Sequence, residues 1–203
     1  MPGAVTVGFY GKLPSRGDFV RSGLPRDFTD RWDDWLQSVM SGSRTLMGDA
    51  WLPAFLEAPV WRFALPRGLC GRRAVLGVML PSVDKAGRYF PLTFAALLPD
   101  DGAISVDKDW LDCCEAAGRA ALERDASPEQ VSGMLGSPGQ ADTPTDHVDA
   151  VWWSEGSPRV PPTRITLSAM PDAATYASML GASANPGEAV QDVPGEPTWN
   201  PPP

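Results

Sequence analysis

The 203-residue chain is 43% hydrophobic with a net charge of −8, a size that buries its own core as one domain. Residues 1–91 hold 12 Lys/Arg against 8 Asp/Glu, and the remainder carries −12. An acidic chain without a basic stripe argues against nucleic-acid binding, and no apolar run approaches the roughly 20 residues that span a bilayer.

In chain order, Val5 to Tyr10 reads as a short strand, followed by the turn-rich Gly11-Lys12-Leu13-Pro14-Ser15-Arg16-Gly17-Asp18. Phe28, Trp32, Trp35, Leu36, Val39 and Met40 share one helical face. Asp27 is the expected N-cap of that helix and Ser41-Gly42 its expected stop. Asp49 to Leu56 reads as a short second helix, with Pro53 tolerated only near its first turn. Three apolar runs follow: Val60 to Leu65, Ala74 to Leu80 and Leu92 to Leu98. Their short, helix-free connections predict an antiparallel meander over about residues 60–98. The second and third runs are apolar at nearly every position, which is the pattern of strands covered on both faces.

Asp107 opens a helix with Trp110, Leu111, Cys114, Ala117, Gly118, Ala121 and Leu122 along one stripe. Ser127-Pro128-Glu129-Gln130 has the form of a capping box with proline at the first helical position. Val148 to Trp153 and Thr163 to Leu167 read as strands, and Asp172 to Leu180 as a last helix stopped by Gly181. These elements make residues 1–181 a single domain. Residues 182–203, with six prolines and one aromatic residue, Trp199, have the composition of a disordered tail.

Catalytic chemistry is hard to find. His147 is the only histidine and sits in a loop-like stretch. Nothing flanks it at metal-ligand spacing, and no nucleophile elbow is present. Gly8-Phe9-Tyr10-Gly11-Lys12-Leu13 fails as a phosphate loop, because two residues separate its glycines and Leu13 follows the lysine. No catalytic, metal or cofactor site is expected. Cys70, Cys113 and Cys114 form no disulfide framework and suit a reducing compartment. With no signal peptide at Met1-Pro2-Gly3-Ala4-Val5-Thr6, the expected location is the cytoplasm.

Two loops stand out for mixing Lys/Arg with Asp among glycines and prolines. They are Gly11 to Asp18, with Lys12, Arg16 and Asp18, and Pro81 to Pro91, with Asp84, Lys85 and Arg88. One reading is structural: turns whose arginines pair with aspartates. The other is that both loops lie together as a partner-docking surface. Eight tryptophans favour a binding role. Trp152 and Trp153 face opposite sides of one strand, so one is an interface anchor unless helices cover both faces.

Several segments together resemble the TagF-type proteins of bacterial type VI secretion. They are Gly8-Phe9-Tyr10-Gly11-Lys12-Leu13-Pro14-Ser15-Arg16-Gly17-Asp18-Phe19-Val20, Trp32-Asp33-Asp34-Trp35-Leu36-Gln37, Trp61-Arg62-Phe63, residues 77–93 and Trp152-Trp153-Ser154. The resemblance implies a three-layer α-β-α sandwich. The expected fold is therefore α/β, with a central mixed sheet that contains the meander. It also implies a non-enzymatic, post-translational repressor of secretion whose partner is a cytoplasmic forkhead-associated-domain scaffold protein. It implies no catalytic residues. A phosphoprotein-directed hydrolase, with Asp18 and Asp84 holding a metal, and a GTPase-regulating platform are the alternatives.

Overall fold

The computed structural model describes residues 4–99, 106–139 and 149–182. His147 and residues 183–203 of the expected tail lie outside them. The elements in chain order are β1 (Thr6–Lys12), β2 (Phe19–Ser22), α1 (Arg26–Met47), a 3-10 turn (Gly48–Ala50), α2 (Trp51–Leu56), β3 (Trp61–Leu65), β4 (Val75–Leu80), β5 (Leu92–Leu97), α3 (Lys108–Glu123), α4 (Pro128–Met134), β6 (Ala150–Ser154), β7 (Thr163–Leu167) and α5 (Ala173–Met179).

All seven strands form one sheet in the order β2-β1-β5-β4-β3-β6-β7. Every pairing is antiparallel, which corrects the expected mixed sheet. The reason lies between β5 and β6. A single crossover helix would return the chain for a parallel strand, but α3 and α4 form a helical hairpin. The indole of Trp110 near the start of α3 donates to the Gly136 carbonyl just past α4 at 2.7 Å. The chain therefore returns to the end of the sheet that it left, and β6 runs opposite to β5.

The meander β3-β4-β5 is buried at every position. Alternation sends Trp61, Phe63, Leu65, Val75, Met79, Ala95 and Leu97 into one apolar cluster with residues of α1, α2 and α5. Ala64, Leu76, Val78, Leu80, Leu92, Phe94 and Ala96 enter a second cluster with α3 and α4. Each large side chain so buried contributes about 1.5–3 kcal/mol. Trp32 centres the first cluster: it is stacked on Phe63 at 4.8 Å, and its indole donates to the Thr93 hydroxyl at 2.9 Å. Trp152 is buried in the same cluster, whereas Trp153 is half-buried against the second.

Local signals set most helix ends. Asp107 accepts from the Trp110 amide, Ser127 and Gln130 complete the capping box, and Asp172 accepts from the Thr175 amide. Two expectations for α1 fail. Pro25 occupies the N-cap, and Asp27 lies inside the first turn, where its charge suits the helix dipole. The helix also runs past Ser41-Gly42 to Met47. Gly42 is there for packing, since a methyl group at that position would lie 2.5 Å from the Ala173 Cβ of α5.

Candidate functional site

The two charged loops leave the sheet at the same end and touch. β1 delivers Lys12 and β5 receives the chain from Pro91. Gly11 lies between them at φ 139°, and a side chain there would overlap the Pro91 carbonyl oxygen. The second loop folds into a small hairpin. The Asp84 amide donates to the Arg88 carbonyl at 3.0 Å, and the Gly87 amide donates to the Asp84 carbonyl at 2.9 Å. Gly87 supplies the left-handed conformation of this turn, φ 76°.

Asp84 ties the loops together. One carboxylate oxygen accepts the backbone amides of Ala86 and Arg88, both at 2.9 Å. The other accepts the Lys12 ammonium at 2.5 Å and the Arg88 Nε at 2.7 Å. Desolvation acts to raise its pKa, but the hydrogen bonds from Lys12 and Arg88 and the charge of Lys12 outweigh it. The carboxyl is held well below its ordinary range. Further bonds knit the loops: the Ser82 hydroxyl donates to the Lys12 carbonyl at 2.7 Å and the Lys85 amide to the Arg16 carbonyl at 3.2 Å. The Arg88 guanidinium also donates to the Gly17 carbonyl.

The six predicted residues thus separate into two groups. Lys12 and Asp84 are buried and paired with each other; Arg16, Asp18, Lys85 and Arg88 are exposed. Arg88 bridges the groups, reaching Asp84 on one side and Asp18 at 4.0 Å on the other. The side chains of Arg16 and Lys85 form no hydrogen bond or ion pair among the described residues. The arrangement can present fixed positive charge and exposed backbone to a partner. Both Asp84 oxygens are already taken by four N–H donors. Among the described residues, no three His, Cys, Asp or Glu converge as a metal site.

One part of this surface escapes a reading of the sequence. Phe19, on β2, lies face-on to Tyr10 at 5.8 Å and edge-on to Phe90 at 4.7 Å, and the Lys12 ammonium sits 4.5 Å from its ring centre. Tyr10 is fixed from behind by the hydrogen bond it donates to Asp33 at 2.6 Å. Burial first, then that bond, raises the Tyr10 pKa far above its ordinary value, so it remains a donor. The only sequence signal was an aromatic residue directly after a turn.

The comparisons with known proteins bear on the same region. The family of TagF N-terminal domains, type VI secretion system-associated, matches residues 8–137, a span that contains both loops. The chain belongs to this family. The matched span runs from within β1 to just past α4. The chain is also 36% identical to PA0076 from Pseudomonas aeruginosa PAO1, known from a crystal structure at 2.05 Å resolution. The two superpose with a TM-score of 0.82 over 95% of this chain and 100% of that one. No curated protein matches it. Membership of the TagF family associates the chain with type VI secretion. No helix among the described residues is long and apolar enough to cross a membrane.

Proposed function

We propose that this chain is a non-enzymatic, post-translational repressor of type VI secretion. It acts in the cytoplasm by binding and sequestering a forkhead-associated-domain scaffold protein. We read the helices on the two sheet faces as the three-layer sandwich expected of such a regulator, closed as one domain at residue 181. The observation that carries the reading is the consolidated loop pair. Asp84 uses all its acceptor capacity to fix two loops as one rigid surface, with Arg16, Asp18, Lys85 and Arg88 outward. Preorganised loops lose little conformational entropy on docking. Exposed charges at such a surface set partner choice and association rate.

The hydrolase alternative required Asp18 and Asp84 to hold a metal. Its support weakens because Asp84 is buried between two cations and Asp18 is held beside Arg88.

The test is size-exclusion chromatography with light scattering, using this chain and the forkhead-associated scaffold of the same secretion system. Co-elution at fixed stoichiometry is expected. The double charge reversal Arg16→Glu/Arg88→Glu should abolish it while leaving the circular dichroism spectrum intact. Separate elution of the wild-type proteins at micromolar concentration would refute the sequestration reading. Normal binding by the double variant would refute the assignment of the surface.

A further inference from the structure

Five large apolar side chains stand exposed among the described residues: Phe19, Leu46, Leu52, Leu56 and Met134. Three of them, Phe19, Leu52 and Leu56, connect to the charged loops. Leu52 and Leu56 are one helical turn apart on α2, so they project from the same face. Beside that face, buried Phe55 meets Tyr89 of the second loop edge-on at 6.0 Å. The neighbour of Tyr89, Phe90, meets Phe19 at 4.7 Å. Two ring contacts, linked through the adjacent residues Tyr89 and Phe90, therefore connect exposed Phe19 to buried Phe55, the neighbour of the exposed leucines of α2.

The border of this strip is basic. Arg16, Lys85 and Arg88 stand exposed at its loop side. At the helix side, exposed Arg44 lies over the Trp51 ring at 4.2 Å. Exposed carboxylates are interspersed: Asp18 and Asp49, Glu57 beside Leu56 in an ion pair with Arg159 at 2.5 Å, and Glu129, which feels the charge of Arg16. An apolar centre with fixed aromatic rings and an arginine-rich border is the anatomy of a protein interface hot spot. An anionic bilayer would be repelled by the interspersed aspartates, whereas a shaped protein surface can pair with both signs.

We infer that the docking surface extends from the two loops across Phe19 to the Leu52/Leu56 face of α2. The partner it fits is a protein whose contact surface sets apolar side chains among carboxylates. This rests on the partner-binding reading above and names the chemistry of that partner. The contact is then centred on apolar burial, with the arginines steering approach and register.

The experiment measures affinity for the forkhead-associated scaffold by calorimetry, using the full chain. The variants are Phe19→Ala, Leu52→Ser/Leu56→Ser and Arg16→Glu/Arg88→Glu. Leu52 and Leu56 are 37% and 54% exposed, so their replacement leaves the core intact even if Phe19→Ala loosens Tyr10 and Phe90. Both apolar variants are expected to weaken binding at least tenfold. If the charge variant abolishes binding while Leu52→Ser/Leu56→Ser binds like wild type, the extension to α2 is wrong and the loop surface stands. If no variant alters binding, or the wild type does not bind, both readings fall. Self-association of the wild type, or its co-sedimentation with phosphatidylserine vesicles, abolished by the apolar variants while scaffold binding is unchanged, would also overturn the inference.

Discussion

Four glycines near the candidate site separate two physical costs that usually occur together. Gly11 has both: its φ is 139°, and a methyl group would overlap the Pro91 carbonyl oxygen and lie 2.9 Å from the Leu92 Cα. Left-handed strain costs about 1–3 kcal/mol. A methyl driven into backbone that cannot yield without opening the sheet costs about 1–3 kcal/mol more. Gly11→Ala should therefore destabilise by about 2–6 kcal/mol, a fall in Tm of roughly 4–24 °C for a domain of this size. Gly87 has the strain alone, φ 76° with nothing within 4 Å, and Gly87→Ala should cost about 1–2 kcal/mol. Gly8 has the collision alone: a methyl there would meet the Ser22 carbonyl oxygen and lie 2.8 Å from the Leu24 amide nitrogen. Gly8→Ala should cost about 1–3 kcal/mol. Gly17 has neither, and Gly17→Ala should stay within about 0.5 kcal/mol of wild type. Urea unfolding followed by tryptophan fluorescence measures all four. The reasoning fails if Gly11→Ala matches wild type, or if Gly17→Ala is as damaging as Gly11→Ala.

Asp84→Asn should lower stability at neutral pH, because an amide cannot accept four N–H donors. The folded pKa of Asp84 is depressed from 3.8, so its contribution is full above about pH 4 and is lost as pH falls through the folded value. Acid titration of stability should show the variant and wild type converging below pH 4; a constant gap would refute the assignment. Arg62 is buried on β3 and bonds Asp112 at 2.7 Å and Glu115 at 2.9 Å on α3. Removing one partner of a fully buried pair costs about 3–5 kcal/mol. These carboxylates are 41% and 21% exposed, which brings Arg62→Met down to about 1–2 kcal/mol. Arg62→Met/Asp112→Asn/Glu115→Gln should recover part of that in thermal denaturation, and a triple variant less stable than the single would count against it. A thiol reagent should modify only Cys113 in the folded chain and all three cysteines in denaturant. Cys70 and Cys114 are buried, and burial pushes the Cys70 thiol to about 12. A second fast-reacting thiol in the native protein would refute this.

Much of the fold was legible because its causes are local. The stripe of Phe28, Trp32, Leu36, Val39 and Met40 fixes a helix and its buried face through the 3.6-residue period alone. Asp107, Ser127 and Asp172 mark helix starts because each cap bonds within three residues of itself. The unbroken apolar runs of β4 and β5 require cover on both faces. The failures are equally specific. β2 was missed because four residues alternating between exposed and half-buried, directly after a run of turn formers, look like loop. Gly42 was read as a stop because its contact on α5 is remote in sequence. The charged loops were visible as loops, but nothing local shows which of their charges are buried.

The sequence by itself determined every element but β2, most of their ends and the membership that associates this chain with type VI secretion. Those properties follow from side-chain periodicity, capping and motif order, which act over a few residues. Only the tertiary structure decided that the sheet is antiparallel throughout. Only it showed that Lys12 and Asp84, 72 positions apart, form one buried pair, and that Phe19 stands exposed against Tyr10 and Phe90. Each of these depends on which strands become neighbours, and that is settled by the collective burial of two apolar sheet faces, not by any local preference.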